Sequence, residues 1–535
     1  MKIRVCDSVT WCYPDIPVTD EISEARVDIP RNGDDVFQIA TDLSVPDGGS
    51  DVAWSCDAPQ GLKVTLYQLC PVGVKFNSSP KHHETRDYES VKDFVTRRAP
   101  FEVFDRIRSL GGGKLTSGNL AFCVRVDAAK DAVPGEYSFT LDFTAGEESG
   151  RVNITAHVYR TALSDPEDSP YAMVHWLFNA GETGSLNICR VHNVEMFSEE
   201  YYYWVERHLE DLRDMRNNYF QLPTAIPVKD EYGRVVSFDF SQVARHARLA
   251  LEHGFRTVYG GFIAHFRHWD EIPYFFLWNM YENVFSAEGD RQLRLYFDGV
   301  KQFIAANGLE GSYMQGLVDE PQVPNSETYK ALCARVRELL PGVEIVDPIE
   351  TPDIEGACDV YCVKQAVYHK YMAQFDEQIA RGARYWFYSC GFPAGKWMNH
   401  VLDLPLSATR LCIWMGVKYR MDGFLHWGYM DYTDKMDFIY DTNLPLKYKG
   451  EMRYFPAGNA AMVYGSERAL YTCLRAANQR LSAAEGELFM KLRDADPGLC
   501  DSLIASCCTD FETYTSDSAK ILSVRRRLLE ELDKR

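Results

Sequence analysis

Two carboxylates stand side by side in the stretch GLVDEPQ, residues 316–322, where Asp319 and Glu320 follow a short apolar run and precede a proline. On a solvated helix face adjacent like charges are ordinary. At the mouth of a strand they need a task, because neighbouring strand side chains point to opposite faces. Two consecutive acids share one site only where the pleat ends and the chain turns, and a following proline helps enforce that exit. Most retaining glycosidases hold their carboxyl pair about 5–5.5 Å apart, and inverting ones about 6.5–9.5 Å, on opposite sides of the scissile bond. Neighbours in sequence, with α-carbons about 3.8 Å apart, are poorly placed for that. They suit a different division of work. In that arrangement Asp319 is expected to hold and polarise an N-acetyl group on a substrate, and Glu320 to protonate the leaving oxygen. The substrate's own carbonyl oxygen then attacks, giving an oxazoline.

A sugar site also needs faces to stack on and groups to bind hydroxyls. Candidates at or near strand ends are His175, Trp176, His265, Tyr361, Tyr388, Trp397, His426 and Trp427, with Tyr385, Trp386 and Tyr429 close by. Aromatic faces cover the apolar faces of sugar rings, and a few polar groups fix orientation. Two other readings stay open at this stage. One is a retaining glycosidase with Glu320 as acid and a separate nucleophile, Asp403 or Glu350, although Asp403 has a structural alternative as partner of Arg410. The other is a non-catalytic carbohydrate-binding protein on the same scaffold, since fold does not fix function.

The rest of the chain removes competitors. GGGKLTSG at 111–118 lacks the first glycine of a phosphate loop and has Leu115 where Ser or Thr should ligate magnesium, so it reads as a turn. There is no HExxH or GxSxG motif. A formal net charge of -20 argues against nucleic acid or an anionic membrane as partner and leaves a glycan or oligosaccharide substrate. The 15 cysteines form no CxxC pair and no zinc-finger spacing. Neither a metal nor an organic cofactor is expected. MKIRVCDSVTWCYPD has no apolar signal core, and no stretch approaches the roughly 20 apolar residues of a membrane span, so the expected location is cytoplasmic.

The elements that must position these residues change texture near 165. Residues 1–165 show short alternating stretches (VFQIATDLSV, AFCVRVD, YSFTLDFTA) separated by PDGGSD and VPGEY, which predict an antiparallel β-sandwich. One helix is expected there, around 88–110. After the acidic, proline-bearing linker TALSDPEDSP, eight strand-like runs alternate with amphipathic helices. This predicts a (β/α)₈ TIM barrel over 166–490, with the Asp-Glu pair at the end of the fourth strand. Residues 491–535 read as a C-terminal helical extension.

Several segments, taken together and in order, resemble one family. VDEP at 318–321, NHVLDLPLSATRLCIWMGVKYR at 399–420, DGFLHWGYMDY at 422–432 and IPRNGDDVFQIATDLS at 29–44 are similar to glycoside hydrolase family 123, also known as domain of unknown function 4091. The resemblance implies a β-sandwich followed by a (β/α)₈ barrel, and β-N-acetylgalactosaminidase activity by substrate-assisted retention. It also implies that Asp319 orients the acetamido group and that Glu320 is the general acid/base. The chain departs from the pattern at Met430-Asp431, where the family often has Asn. After Arg475 it reads AANQRLSAAEGEL, retaining Arg480 and Glu485 of the usual acidic helix.

Overall fold

The structure, a computed structural model, describes residues 1–79, 84–110, 114–178, 183–267, 270–275, 278–448 and 450–535. The first three glycines of GGGKLTSG lie outside these; its last residue opens the strand Gly118–Ala128. The chain forms two compact units. One comprises Met1–Asp165, Cys390–Lys418 and Met430–Arg535, the other Pro166–Ser389 and Tyr419–Tyr429. The first break between them falls at Asp165 and Pro166. Residues 390–418 and 430–490, assigned from sequence to the barrel, instead group with the sandwich.

In the first unit two sheets enclose an apolar core. The larger runs in the order Ile3–Cys6, Gly33–Val45, Gly118–Ala128, Leu62–Val74, Phe101–Ser109, all antiparallel. The smaller is ordered Glu24–Arg31, Glu148–Ala162, Gly135–Ala145, Val52–Cys56. Its first pair is parallel, the one exception to the antiparallel expectation among the described strands of the two sheets. Alternate residues fill the space between them, including Ile29, Ile39, Leu66, Phe122, Val124, Leu141 and Ile154. The helix expected around 88–110 is not formed. Only Tyr88–Ser90 makes a 3-10 turn, and Phe101–Ser109 is a strand. Residues Val103–Ile107 are buried on both strand faces, and the pairing of this segment with Leu62–Val74 outweighs any helical preference.

The helix Leu474–Ala495 in this unit is buried along nearly its whole length, charged residues included. Those charges are matched. Arg475 pairs with Asp105 at 2.9 Å and Arg480 with Asp34 at 2.7 Å. Glu485 lies 2.5 Å from Arg410 and 2.6 Å from Arg525, and accepts from the Trp414 indole at 2.9 Å. Arg480 and Glu485, retained from the family pattern, are therefore members of a buried ion network. The expected pairing of Asp403 with Arg410 does not occur. Asp403 accepts from the Ser78 amide (2.6 Å), the Ser78 hydroxyl (2.8 Å) and Asn77 (3.2 Å).

The second unit carries eight strands in chain order: β1 (Ala172–His175), β2 (Tyr219–Gln221), β3 (Thr257–Gly260), β4 (Tyr313–Gln315), β5 (Glu344–Ile349), β6 (Val360–Lys364), β7 (Arg384–Ser389) and β8 (Gly423–His426). They pair in parallel from β2 through β8 and on to β1. Between β1 and β2 the ring is joined through Asn218, whose amide donates to the Met173 carbonyl at 3.2 Å. Its side-chain oxygen accepts from the Met173 amide at 2.9 Å. Helices Glu199–Asp214, Ser241–Glu252, Ala287–Asn307 and Ser326–Leu339 lie between successive strands from β1 to β5, and Met372–Ala380 between β6 and β7. Two of them open on serine caps, Ser198 and Ser286. The barrel interior is filled by side chains: the rings of Tyr219 on β2 and Trp386 on β7 meet at 4.9 Å.

Candidate active site

The acidic pair follows β4, the fourth strand, at the carboxyl end of the barrel where this architecture carries its chemistry. The exit from β4 is fixed by a buried carboxylate on the next strand. Asp347 accepts from the amides of Leu317 (2.7 Å) and Val318 (3.3 Å), and its other oxygen from the Tyr329 hydroxyl (2.8 Å). The chain then turns at Glu320, whose φ of +49° lies in the left-handed region that non-glycine residues seldom occupy. That turn ends the strand alternation, as the sequence requires if both acids are to serve one site.

Glu320 is held from two further strands. The Tyr388 hydroxyl, near the end of β7, donates to its Oε1 at 2.6 Å, and Lys364 Nζ, at the end of β6, lies 2.8 Å from the same oxygen. Lys364 also ion-pairs with Glu350, just past β5, whose second oxygen accepts from Gln322 at 2.7 Å. Strand register explains the grouping. Lys364 and Tyr388 are paired residues on β6 and β7, so their side chains leave the same face. Four successive strand ends thus contribute Asp319 and Glu320, Glu350, Lys364 and Tyr388.

Asp319 sits differently. The residue is exposed to solvent, yet neighbouring protein atoms crowd and desolvate its carboxyl. Those surroundings, together with the charge of Glu320, push its carboxyl up to about 7 against the opposing pull of Lys364.

The remaining predicted residues divide. His175 and His426 end the neighbouring strands β1 and β8, with ring centroids 6.1 Å apart. Asn217 lies 3.0 Å from His175 Nδ1, and the Ser389 carbonyl 2.8 Å from His426 Nδ1. Trp176 follows β1, donates its indole N–H to the Tyr259 hydroxyl and packs edge-on to Phe262. Trp427 follows β8, its ring 6.1 Å from that of His426. His265 lies on a short hairpin after β3, where burial and then the Arg267 charge lower its proton affinity.

One candidate falls elsewhere. Tyr361 is a core residue: its hydroxyl accepts from the Gly356 amide at 2.7 Å and its ring stacks on Tyr385 at 5.0 Å. Both belong to the opposite strand face from Lys364 and Tyr388. Trp397 lies in Cys390–Lys418, within the sandwich unit. Lys364 and Asp347 were not identified from sequence as parts of the site, and Glu350, weighed there as a nucleophile, is the counter-ion of Lys364. A lysine closing the otherwise apolar run VYCVK was the available signal.

Among the described residues no group of three or more His, Cys, Asp or Glu side chains is arranged to hold a metal ion. No helix among them is long and apolar enough to cross a membrane.

The chain matches a solved family 123 glycoside hydrolase from Clostridium perfringens, described in connection with glycolipid glycan hydrolysis, with a TM-score of 0.73 at 13% identity. The match covers 100% of this chain and 98% of that one and shows the shared fold. A termite-gut GH10 xylanase with a bacterial Ig-like domain (TM-score 0.31, 11% identity, 87% of this chain and 100% of that one) is too distant to inform the argument. No curated protein matches the chain. The family described as "Glycoside hydrolase 123, catalytic domain" matches residues 184–491, more than half of the sequence. The chain belongs to glycoside hydrolase family 123.

Proposed function

We propose that this glycoside hydrolase removes a β-linked N-acetylhexosamine, N-acetylgalactosamine by preference, with retention through an oxazoline intermediate. The observation that carries the reading is the pair Asp319-Glu320 itself, two adjacent carboxylates turned out of one strand by the left-handed residue Glu320. In the first step the acetamido carbonyl oxygen attacks the anomeric carbon as its bond to the leaving oxygen breaks. Glu320 gives that oxygen a proton while Asp319, ionised, accepts the acetamido N–H and makes its carbonyl the better nucleophile. In the second step water attacks the anomeric carbon, loses its proton to Glu320, and the oxazoline opens with the configuration retained.

A separate carboxylate nucleophile gains no support. Both oxygens of Glu350 are engaged, by Lys364 and Gln322. Asp403 lies in the sandwich unit with its oxygens occupied. The Clostridium perfringens relative acts on glycolipid glycans, and a comparable glycan end is the substrate class we infer here.

The test is release of 4-nitrophenol from its β-N-acetylgalactosaminide, β-N-acetylglucosaminide and β-galactoside, side by side. Cleavage of the galacto-configured acetamido sugar in preference to both others is expected. Comparable cleavage of the β-galactoside, which has no acetamido nucleophile, would overturn the mechanism.

A further inference from the structure

One cation serves two carboxylates at the mouth of the barrel. Lys364 Nζ lies 2.8 Å from Glu320 Oε1 and also pairs with Glu350, while Tyr388 donates to the same Glu320 oxygen. The ammonium is only 5.6 Å from the centre of the Tyr388 ring, which further favours the charged form of the lysine. This arrangement opposes what a general acid needs. Glu320 Oε1 is taken up by the ammonium and the phenol donor, whereas a general acid must present a proton when the leaving group departs.

We propose that Lys364 is a positioning residue shared between Glu320 and Glu350, and that Glu350 is the counter-ion that draws the ammonium away so that Glu320 can hold the proton it donates. The proposal rests on the reading of Glu320 as the general acid. No large movement is required, because Lys364 already touches both acids. Gln322 donates to the other oxygen of Glu350 and keeps that carboxylate oriented as an acceptor. The titratable groups around the pair are Asp319 beside Glu320, Tyr388 on β7, and the buried Asp347 and Cys362, both within electrostatic reach of Asp319. After the leaving group departs, the return of Lys364 to Glu320 stabilises the carboxylate that must next accept a proton from water.

The experiment is the pH dependence of kcat/KM on a β-N-acetylhexosaminide with a poor leaving group. Wild type is compared with Glu350→Gln, Glu350→Asp and Lys364→Met. In Glu350→Gln the lysine loses one of its two carboxylate contacts and is left nearer Glu320, so the pH above which activity falls should drop by about one unit. In Lys364→Met that limit should rise by a similar amount, and Glu350→Asp should restore the wild-type limit. Opposite displacements are the signature, since a residue that merely supports packing lowers activity without moving the limits in opposite directions. Limits that stay put in both variants, or move the same way, would overturn the proposal. If folded wild-type protein cleaves no acetamido sugar, the functional reading fails. Lys364 is then tested by following the carbon-13 carboxyl signal of Glu320 against pH in the same variants. Opposite displacements of its titration would sustain the shared-cation arrangement, and their absence would end it.

Discussion

The molecule handles acidic side chains in two opposite ways. Around the helix Leu474–Ala495 the buried carboxylates of Asp34, Asp105 and Glu485 each face arginine. Burial alone would raise Asp34, yet the guanidiniums of Arg480 and Arg125 bring it down to about 2, and Arg410 with Arg525 likewise hold Glu485 below its usual range. At the barrel mouth three carboxylates, Asp319, Glu320 and Glu350, share one lysine, and Asp319 is pushed up to about 7. Matched charges make carboxylates permanent anions that fix a structure. A shortage of cations leaves a proton to be placed, and a proton that can be moved is what acid–base chemistry uses.

The sharpest way to break this comparison is to unbalance the network. Glu485→Ala leaves Arg410 and Arg525 buried without their shared partner, and should cost about 3–5 kcal/mol of stability. Chemical denaturation would show it, while activity per folded molecule stays near wild type. A loss of activity without a loss of stability would mean that the network is part of the chemistry.

At the mouth the pattern should reverse. Asp319→Asn should lower kcat on acetamido substrates by roughly 10²–10³-fold, since a preorganised charge at the reacting group is lost. In wild type, Asp319 must be ionised to receive the acetamido N–H, so kcat/KM should fall as pH drops through about 7. A profile flat from pH 5 to 8 would remove Asp319 from that role. Glu320→Gln should cost roughly 10²-fold or more with poor leaving groups. With activated aryl leaving groups, which need little protonation, the loss should be much smaller. Equal losses on both would argue against proton donation.

A smaller effect concerns stability at the same site. The folded-state value of Asp319, about 7, lies above its ordinary 3.8. The favourable contribution of its protonated form is therefore complete below about pH 4 and is lost as pH rises through 7. Asp319→Asn should then melt about 1–2 °C above wild type at pH 8, the difference being modest because water reaches the side chain, and should match wild type at pH 4. A variant less stable at pH 8 would show that the carboxylate is held by contacts rather than strained by its neighbours.

Much of this was legible because it rests on local constraints. An Asp-Glu pair before a proline at a strand end can only be a turn, and the structure turns at Glu320. The alternation of strands and helices after residue 170 gave the barrel, and the short alternating runs before it gave the two sheets. What stayed hidden depends on face and on distant partners. The helix expected at 88–110 was misread because the stretch Phe101–Ser109 is a strand of the larger sheet, and one of its charges, Asp105, pairs inside the protein with Arg475 far along the chain. Cys390–Lys418 reads as one more barrel segment, and only long-range contacts assign it to the sandwich unit. Lys364 carries no local sign of having two acidic partners brought to it by β4 and β5.

Tyr361 shows how fine that limit is. It sits three residues before Lys364, on a strand whose side chains alternate, so it faces away from the acids while Lys364 faces them. Its register partner Tyr385 faces the same way, and the two stack instead of lining the site. Tyr361→Phe should therefore leave kcat/KM within about twofold of wild type and cost only about 1 kcal/mol for the lost hydrogen bond to the Gly356 amide. Tyr388→Phe, one strand over and on the other face, removes the donor to Glu320 and should alter the pH profile as well as the rate. Indistinguishable kinetics for the two variants would mean that strand face does not separate core from site here, and the assignment of Lys364 and Tyr388 to one cluster would fall with it.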